Sequence, residues 1–306
     1  MRSYKAISKV EQINMKVLIL GLGHVGKAVA KKLKTQGHQV VGTTTTPAKA
    51  PELETLVDQV FILTGEQTDK VVEASHGCDV IIATVAPNVK NTRTIEERER
   101  HYHQALELSC ASAAKACPRV VFLSSFSVYG DGGDDHAPIS ENTPTANHDE
   151  PSSKYYQRAE QHVLKSTQGC VLRFPDMYGA PGDLDFTQRV NMAIEYFQGN
   201  AIFGANAPLY AIHFNDVVDA VCHVIEHDLT GIYNVCDNHH VPYTNKQVFD
   251  AICDQQGWQR LRFLNQIQAP NRKISADKLY QTGYTVKHTD PNRAVVESQQ
   301  SSVVSQ

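Results

Sequence analysis

The sequence has few of the features that mark proteins stabilised by disulfides or structural metal ions, or proteins embedded in a membrane. Its seven cysteines are scattered over 306 residues without a Cys-x-x-Cys pair, which is typical of buried thiols in a reducing compartment. No apolar run approaches the roughly 18 residues that a membrane-spanning helix needs. The net charge of −4 provides no basic footprint for nucleic acid. We therefore expect a cytoplasmic protein that binds neither nucleic acid nor a membrane.

Several catalytic and metal-binding motifs are also missing. The chain contains no Gly-x-Ser-x-Gly elbow of a hydrolase and no phosphate loop ending in Gly-Lys-Ser or Gly-Lys-Thr. His223 and His227 stand four residues apart on a predicted helix, a spacing that two metal ligands could share, but no third ligand accompanies them. We expect no metal site.

The two ends of the chain show no pattern of regular structure. Residues 1–14 lack the apolar core of a secretory signal, and we predict a disordered extension there. From Glu297 to the end, residues 297–306 are mainly Ser, Gln and Val without a helical period. This composition predicts a disordered tail.

One stretch near the start carries the strongest signal. The aliphatic run Lys16–Leu20 leads directly into Gly21-x-Gly23-x-x-Gly26. In a dinucleotide-binding turn the first glycine allows the tight turn, the second lets a pyrophosphate approach the backbone, and the third lets the helix pack on the strand. A strand before the glycines and a helix after them are the context that makes this motif informative. The alternative is a purely structural glycine turn.

A helix is predicted immediately after the glycines. Its apolar residues recur at helical spacing: Val25, Ala28, Val29 and Leu33. The helix can end at Gly37. The free N–H groups at its start, including those of His24 and Val25, would face the phosphates with the helix dipole behind them. His24 and Val25 therefore join the three glycines as predicted cofactor-binding residues.

Strand and helix patterns alternate through the first half, which predicts a doubly wound parallel sheet of the α/β class. The further predicted strands are residues 38–46, 57–63, 78–87 and 119–123, and a long helix is predicted over residues 94–116. Because ligands bind at the carboxyl ends of such strands, Ala83, Thr84 and Val85 should lie beside the cofactor.

The second strand bears on the choice of cofactor. About twenty residues past the glycines an NAD-preferring site usually has Asp or Glu on the ribose, whereas this chain has Thr43 and Thr44. An acidic residue would repel a 2′-phosphate, so its absence favours NADP while NAD stays open. Lys49 is near enough in sequence to assist, although a solvated loop lysine is the plainer interpretation.

The next strand delivers a more specific pattern, Ser124-Ser125-Phe126-Ser127-Val128-Tyr129-Gly130. This pattern resembles the extended short-chain dehydrogenase/reductase superfamily, in particular the NAD-dependent epimerase/dehydratase family. Three later segments are similar to signatures of that family, in the same order: residues 172–182, 212–220 and 231–235. The resemblance spans roughly residues 15–293.

The resemblance implies a Rossmann-type domain with a small carboxyl-terminal substrate lobe. We place the NAD(P)-binding domain at residues 15–182 with 212–236 interleaved, and the lobe at 183–211 and 237–296. The implied activity is that of an NAD(P)-dependent oxidoreductase or epimerase on a nucleotide sugar or a related carbonyl or hydroxyl compound. The family also implies a homodimer through the long helix.

Two helices in the second half of the chain are predicted from residues that can cap them. Asn215 or Asp216 can cap a helix whose apolar stripe starts at Val217. Thr244 and Gln247 form a capping-box pattern for another helix, which can end at Gly257.

The family's catalytic Tyr-x-x-x-Lys pair is missing. None of the 12 tyrosines has a lysine four residues later, and alignment puts Ser152 at the tyrosine position and Tyr156 at the lysine position. The family's serine is present as Ser125, four residues before Tyr129, although a strand-end serine often only satisfies local backbone groups. The departure resembles the atypical, YeeZ-like branch of the superfamily.

Two neighbouring tyrosines remain as candidates for the missing acid. We predict that Tyr156 takes the place of the pair, with Tyr155 as the second choice; the alternative is that both only pack the helix onto the domain. The rival function is a non-catalytic sensor that binds NAD(P) and reports redox state to a partner.

Overall fold

Short runs of β-branched and aliphatic residues form the strands at the centre of the protein. The computed structural model describes residues 14–89, 92–133, 135–147 and 149–304, so the extension predicted for residues 1–14 lies almost entirely outside the described residues. In chain order the strands are β1 (Lys16–Leu20), β2 (Gln39–Thr44), β3 (Gln59–Ile62), β4 (Val80–Ala83), β5 (Arg119–Ser125), β6 (Gln168–Phe174), β7 (Asp176–Tyr178), β8 (Asn200–Phe203), β9 (Ala211–His213), β10 (Gly231–Asn234) and β11 (Arg262–Ile267).

Helices connect most of these strands. They are α1 (His24–Thr35), α2 (Ala50–Leu53), α3 (Thr68–Ala74), α4 (Ile95–Tyr102), α5 (Ser109–Ala116), α6 (Pro151–Leu164), α7 (Phe186–Tyr196), α8 (Phe214–Glu226), α9 (Asn245–Gln256), α10 (Asp277–Tyr280) and α11 (Pro291–Val304). The helix predicted over residues 94–116 consists of α4, a π-helical segment (His103–Leu108) and α5.

Seven of the strands form one parallel sheet in the order β10-β6-β5-β4-β1-β2-β3. In its middle, Leu18 lies opposite Val41 on one side and Ile81 on the other. The pairing confirms the predicted doubly wound parallel sheet of the α/β class. The predicted strands at 38–46, 57–63, 78–87 and 119–123 all belong to it.

Alternating side chains of the strands bury two different faces. Val17 and Ile19 pack with α1 and α8, whereas Leu18 and Leu20 pack with α3, α5 and α6. Because helices cover both faces of the sheet, the strand sequences are continuously apolar. Because both faces are covered, the carboxyl edge of the sheet is the place left open for a ligand.

A smaller apolar cluster is built by α7, α9 and the paired strands β8 and β11. The sequence patterns described above predict no helix where α7 lies. Asp185 begins this helix with a capping box, because its carboxylate accepts the Gln188 N–H while the Gln188 side chain accepts the Asp185 N–H. The limits given above for the two domains stay a prediction.

One of the two predicted caps is confirmed and the other is wrong. Thr244 and Gln247 form the capping box of α9, which ends at Gly257 with a φ of +69°. Helix α8 is capped by His213 rather than by Asn215 or Asp216, its Nδ1 accepting the Asn215 N–H at 3.1 Å. Asp216 is fully buried instead and accepts the N–H groups of Lys287 and His288.

The prediction of a disordered tail over residues 297–306 is wrong where the chain is described. Helix α11 continues to Val304, and its polar residues contact α9. The Gln255 amide donates to Val295 O and Ser298 Oγ, both at 3.0 Å, while the Gln299 amide donates to Ala251 O. These tertiary hydrogen bonds supply what the composition of the segment lacks.

Candidate functional site

The turn between β1 and α1 is held by two threonines from neighbouring strands. Gly21 has a φ of +102°, which an L side chain rarely adopts. Its N–H donates to Thr43 Oγ1 at 2.8 Å, and Thr84 Oγ1 donates to its carbonyl oxygen at 2.6 Å. The turn is therefore fixed before any ligand arrives.

The other two glycines of the motif differ in the space that a side chain would have. A Cβ at Gly26 would lie 2.2 Å from Gly21 O, so only glycine fits between the helix and the turn. A Cβ at Gly23 would meet no protein atom within 4 Å. Gly23 is thus not needed for packing, and the space beside it admits a ligand close to the backbone.

The start of α1 offers unpaired donors. The first hydrogen bond of the helix runs from the Lys27 N–H to Gly23 O at 3.0 Å. The N–H groups of His24, Val25 and Gly26 come before it and have no acceptor within the helix. The first turn contains no acidic residue and no side-chain cap. Donors, dipole and open space together fit the diphosphate of a dinucleotide.

The remaining predicted cofactor residues divide into supporting and exposed ones. Thr43 and Ala83 are buried, and the hydroxyls of Thr43 and Thr84 are bonded to the turn. Val85 packs on the turn, with its Cγ1 3.3 Å from the position of a Cβ on Gly21. Thr44 is half-buried at the end of β2, and its side chain is not part of the hydrogen bonds that hold the turn.

Ser125 lies at the end of β5, where the strand turns into a short 3-10 helix (Phe126–Tyr129). Its Oγ accepts the Ser127 N–H at 3.1 Å, which is the local backbone role that the sequence analysis kept as an alternative. The same hydroxyl also lines a cleft, so its proton can still be donated there. Ser127, which the sequence analysis did not select, lines the cleft as well, and its buried Oγ has no hydrogen-bond partner among the described residues.

Tyr156 of α6 lines the same cleft as Ser125. Its ring packs between Tyr102 and Phe122, with ring centroids 6.5 and 6.0 Å away. Burial, followed by smaller effects of Tyr102 and Cys110, raises the pKa of Tyr156, and no cation contributes to that shift. The phenol therefore holds its proton more tightly than an ordinary tyrosine and stays a hydrogen-bond donor.

Tyr155 is not brought to the cleft. Its hydroxyl donates to Glu99 Oε1 at 3.0 Å, and the Lys154 ammonium binds the same oxygen at 2.7 Å. Ser152, at the position of the family's tyrosine, donates to the Glu150 carboxylate. Tyr155 and Lys154 thus fasten α6 to α4, and of the two tyrosines Tyr156 is the one that lines the cleft with Ser125.

A buried polar network lies directly beneath the cleft. Arg173 donates to both carboxylate oxygens of Glu160, at 2.9 and 2.6 Å, and to Tyr129 Oη at 2.8 Å. Ser124 Oγ donates to Glu160 at 2.5 Å, and Tyr129 Oη donates to Asn234 Oδ1 at 2.7 Å. The network joins β5, β6, β10 and α6, so it holds both Ser125 and Tyr156 in place. In the sequence, the signal for this network is a polar residue within each otherwise apolar strand that contributes to it.

The cleft itself has a volume of about 690 Å³ and lies between the carboxyl edge of the sheet and the α7–β8 segment. Ser125, Ser127 and Tyr156 line one part of it, and Phe186, Val190 and Phe249 are among the apolar residues of the other. Among the described helices none is both long and apolar enough to span a bilayer. The described residues contain no group of three His, Cys, Asp or Glu side chains placed to hold a metal ion.

Comparison with known proteins agrees with this geometry. Residues 17–236 match the model of the NAD dependent epimerase/dehydratase family. Protein YeeZ of Escherichia coli K12 is 25% identical over 293 residues, covering 90% of this chain and 97% of YeeZ. The predicted resemblance to this family and to YeeZ is confirmed.

Solved structures share the fold. The Bordetella bronchiseptica enzyme WbmG, in complex with NAD, superposes with a TM-score of 0.70 at 17% identity, covering 94% of this chain and 93% of WbmG. UDP-glucose 4-epimerase of Thermotoga maritima, with UDP-glucose, gives a TM-score of 0.68 at 16% identity over 94% of this chain and the whole of that enzyme.

Proposed function

The chain belongs to the NAD-dependent epimerase/dehydratase family, and we propose that it is an NAD(P)-dependent oxidoreductase or epimerase acting on a nucleotide sugar or a related carbonyl or hydroxyl compound. One observation carries the proposal. The open glycine turn and Ser125 both lie at the carboxyl ends of strands in the same sheet, and Tyr156 of α6 lines the same cleft as Ser125. A nucleotide on the turn and a substrate in the cleft would therefore be neighbours.

The residues of the chain have separable roles in this proposal. A bound nicotinamide nucleotide supplies hydride chemistry. Ser125 donates a hydrogen bond to the substrate oxygen and orients it. Tyr156, which carries its proton at physiological pH, gives that proton to the oxygen as hydride reaches the carbon, and so acts as a general acid.

The cofactor proposed is NAD or NADP, with NADP favoured. Thr44 stands where an acidic residue would repel a 2′-phosphate, and Lys49 is exposed in the turn that follows β2. WbmG was solved with NAD, which supports a nicotinamide nucleotide without deciding between the two.

The missing lysine favours a second candidate, a non-catalytic NAD(P)-binding sensor. In the family a lysine lowers the pKa of the catalytic tyrosine, whereas here the residue four positions after Tyr156 is Glu160, engaged with Arg173. Lys154, the nearest lysine in sequence, is paired with Glu99. A protein with this arrangement could hold the nucleotide without using it.

Turnover with matched tyrosine variants tests the proposal. Loss of NADPH and NADH absorbance is followed with a panel of carbonyl compounds and nucleotide-linked keto sugars. We expect Tyr156→Phe to lower kcat by about two to four orders of magnitude. Tyr155→Phe removes the same hydroxyl from the neighbouring residue outside the cleft, and we expect its kcat to stay within about twofold of wild type.

The outcomes separate the two candidates. Full activity of Tyr156→Phe would exclude Tyr156 as the acid. Tight nucleotide binding by the wild-type protein without turnover of any compound in the panel would favour the sensor.

A further inference from the structure

The part of the cleft beyond the three hydroxyls is apolar and open to solvent. Helix α7 and the segment that follows it contribute Met192 and Phe197, which are 38% and 51% exposed, and β8 contributes Ile202 and Phe203, which are 37% and 39% exposed. Large apolar side chains gathered on a concave, solvent-exposed surface are uncommon unless a ligand covers them. The deeper wall, formed in part by Phe186, Val190 and Phe249, continues this apolar surface.

The charges that line the cleft are few and already compensated. Among the described residues lining it, Arg189 is the single cationic side chain. Its Nη1 lies 2.6 Å from Asp176 Oδ2, its Nε donates to Leu184 O at 3.0 Å, and its Nη2 donates to Met177 O at 3.2 Å. The guanidinium therefore holds β7 and the start of α7 together, and its charge is balanced by an aspartate in the same cleft.

This balance bears on the class of substrate. A nucleoside diphosphate carries two negative charges, and sites that take such groups supply cations or several free N–H donors. Here the phosphates would instead meet a carboxylate and an apolar wall, and burying unpaired charge is costly. Two of the three amides in the lining are also occupied, since Asn200 contacts Arg262 and Phe197 O, and Asn245 donates to Gly204 O. The third, Gln268, is neutral and could not balance two negative charges.

We propose that the cleft takes a ketone, aldehyde or secondary alcohol with an uncharged apolar body, and not a nucleotide sugar. The proposal rests on the function proposed above and narrows its substrate class. The oxygen of such a molecule would be held by Ser125 and Tyr156, while its hydrocarbon part would cover Met192, Ile202 and Phe203.

Ligand binding to the nucleotide-loaded protein tests this directly. The full chain is saturated with whichever oxidised nucleotide binds, NAD⁺ or NADP⁺, and titrated with 2-octanone, acetophenone, UDP and UDP-glucose. We expect one of the ketones to bind at least about tenfold more tightly than UDP-glucose, because apolar burial supplies its affinity.

A matched pair of variants locates the effect. Ile202→Ser removes apolar surface from the cleft, and we expect it to weaken ketone binding about fivefold to tenfold. Leu164→Ser makes the same kind of change at a residue that is 40% exposed at the far end of α6. It should leave ketone affinity unchanged, and both variants should bind the nucleotide as wild type does.

The possible failures are distinguishable. If neither nucleotide binds, the proposed function falls. If a nucleotide binds and the loaded protein then takes UDP-glucose or UDP as tightly as the ketones, or binds neither ketone, the inference about the substrate is overturned and the proposed function stands. Equal ketone affinity of Ile202→Ser and Leu164→Ser would also overturn it.

Discussion

At the scale of single residues, the chemistry of the site depends on a tyrosine that burial keeps neutral. Tyr156 packs against Tyr102 and Phe122 and has a pKa raised above the ordinary value of its side chain. Since the charged form is disfavoured, the phenol keeps its proton across the neutral and mildly alkaline range. The raised pKa makes Tyr156 a weaker acid than a tyrosine beside a lysine, but it can still protonate the far more basic alkoxide that forms on the substrate oxygen.

The raised pKa of Tyr156 predicts a particular pH profile. The rate of carbonyl reduction, measured as kcat/KM, should stay level from about pH 7 to about pH 10, because the neutral acid form persists beyond the ordinary tyrosine pKa of about 10. A fall with a midpoint below about pH 9 that disappears in Tyr156→Phe would identify Tyr156 as the titrating group and contradict its raised pKa.

The buried ion pair beneath the cleft predicts a large effect on stability. Arg173→Met would leave the Glu160 carboxylate buried without its partner, and we expect the free energy of unfolding to drop by about 3–5 kcal/mol. The double variant Arg173→Met, Glu160→Met should lose less, because no unpaired charge remains. Urea unfolding of both proteins measures the difference, and a single variant within about 1 kcal/mol of wild type would show that the pair is not a structural support.

Residue roles were predictable only where local geometry decides them. The sequence places Tyr155 and Tyr156 near the same face of a helix, with Tyr156 preferred because of its position in the family alignment. It cannot say which one faces the cleft, because that depends on the position of Glu99 in a helix 56 residues earlier in the chain. The Glu160–Arg173 pair was missed for the same reason.

At the scale of elements, the turn from β1 to α1 combines one glycine required for packing with one that the protein itself does not need. A Cβ has no room at Gly26 and ample room at Gly23. Gly26 is therefore needed for folding, whereas Gly23 leaves space for a ligand. A purely structural glycine turn would show no such division.

This contrast gives a paired prediction. Gly26→Ala should destabilise the protein by about 1–3 kcal/mol, because the new methyl group collides with Gly21 O. Gly23→Ala should change the free energy of unfolding by less than about 0.5 kcal/mol, yet weaken NAD(P)H binding by about tenfold or more, since the methyl group occupies the space of the diphosphate. Thermal unfolding and nucleotide fluorescence measure the two effects. Unchanged nucleotide affinity in Gly23→Ala would contradict a diphosphate at this turn.

Elements with strong local patterns were predicted well, and those stabilised by distant partners were not. The capping box and terminal glycine of α9 were sufficient to predict it. Helix α7 also has a local capping box, at Asp185 and Gln188, but it lies among Gly, Asn, Pro and aromatic residues and was missed. Helix α11, in contrast, depends on hydrogen bonds to α9. Tertiary contacts of this kind override weak local preference.

At the scale of the whole molecule, the parallel sheet determines where a ligand can bind. Both of its faces are covered by helices, so the carboxyl edge, with the glycine turn and the hydroxyl-lined cleft, is the surface left for chemistry. The alternation of strands and helices predicted this sheet. The pairing of β10 with β6 and of β8 with β11 joins distant segments, which periodicity alone cannot predict.

Calorimetric titration of the full chain with NADPH and NADH tests the central claim most directly, because a nucleotide at the start of α1 is the premise for every role assigned to Ser125 and Tyr156. We predict saturable binding of at least one of them, with a Kd on the order of 1–100 μM and NADPH the tighter. No saturable heat with either nucleotide up to about 1 mM would contradict the claim.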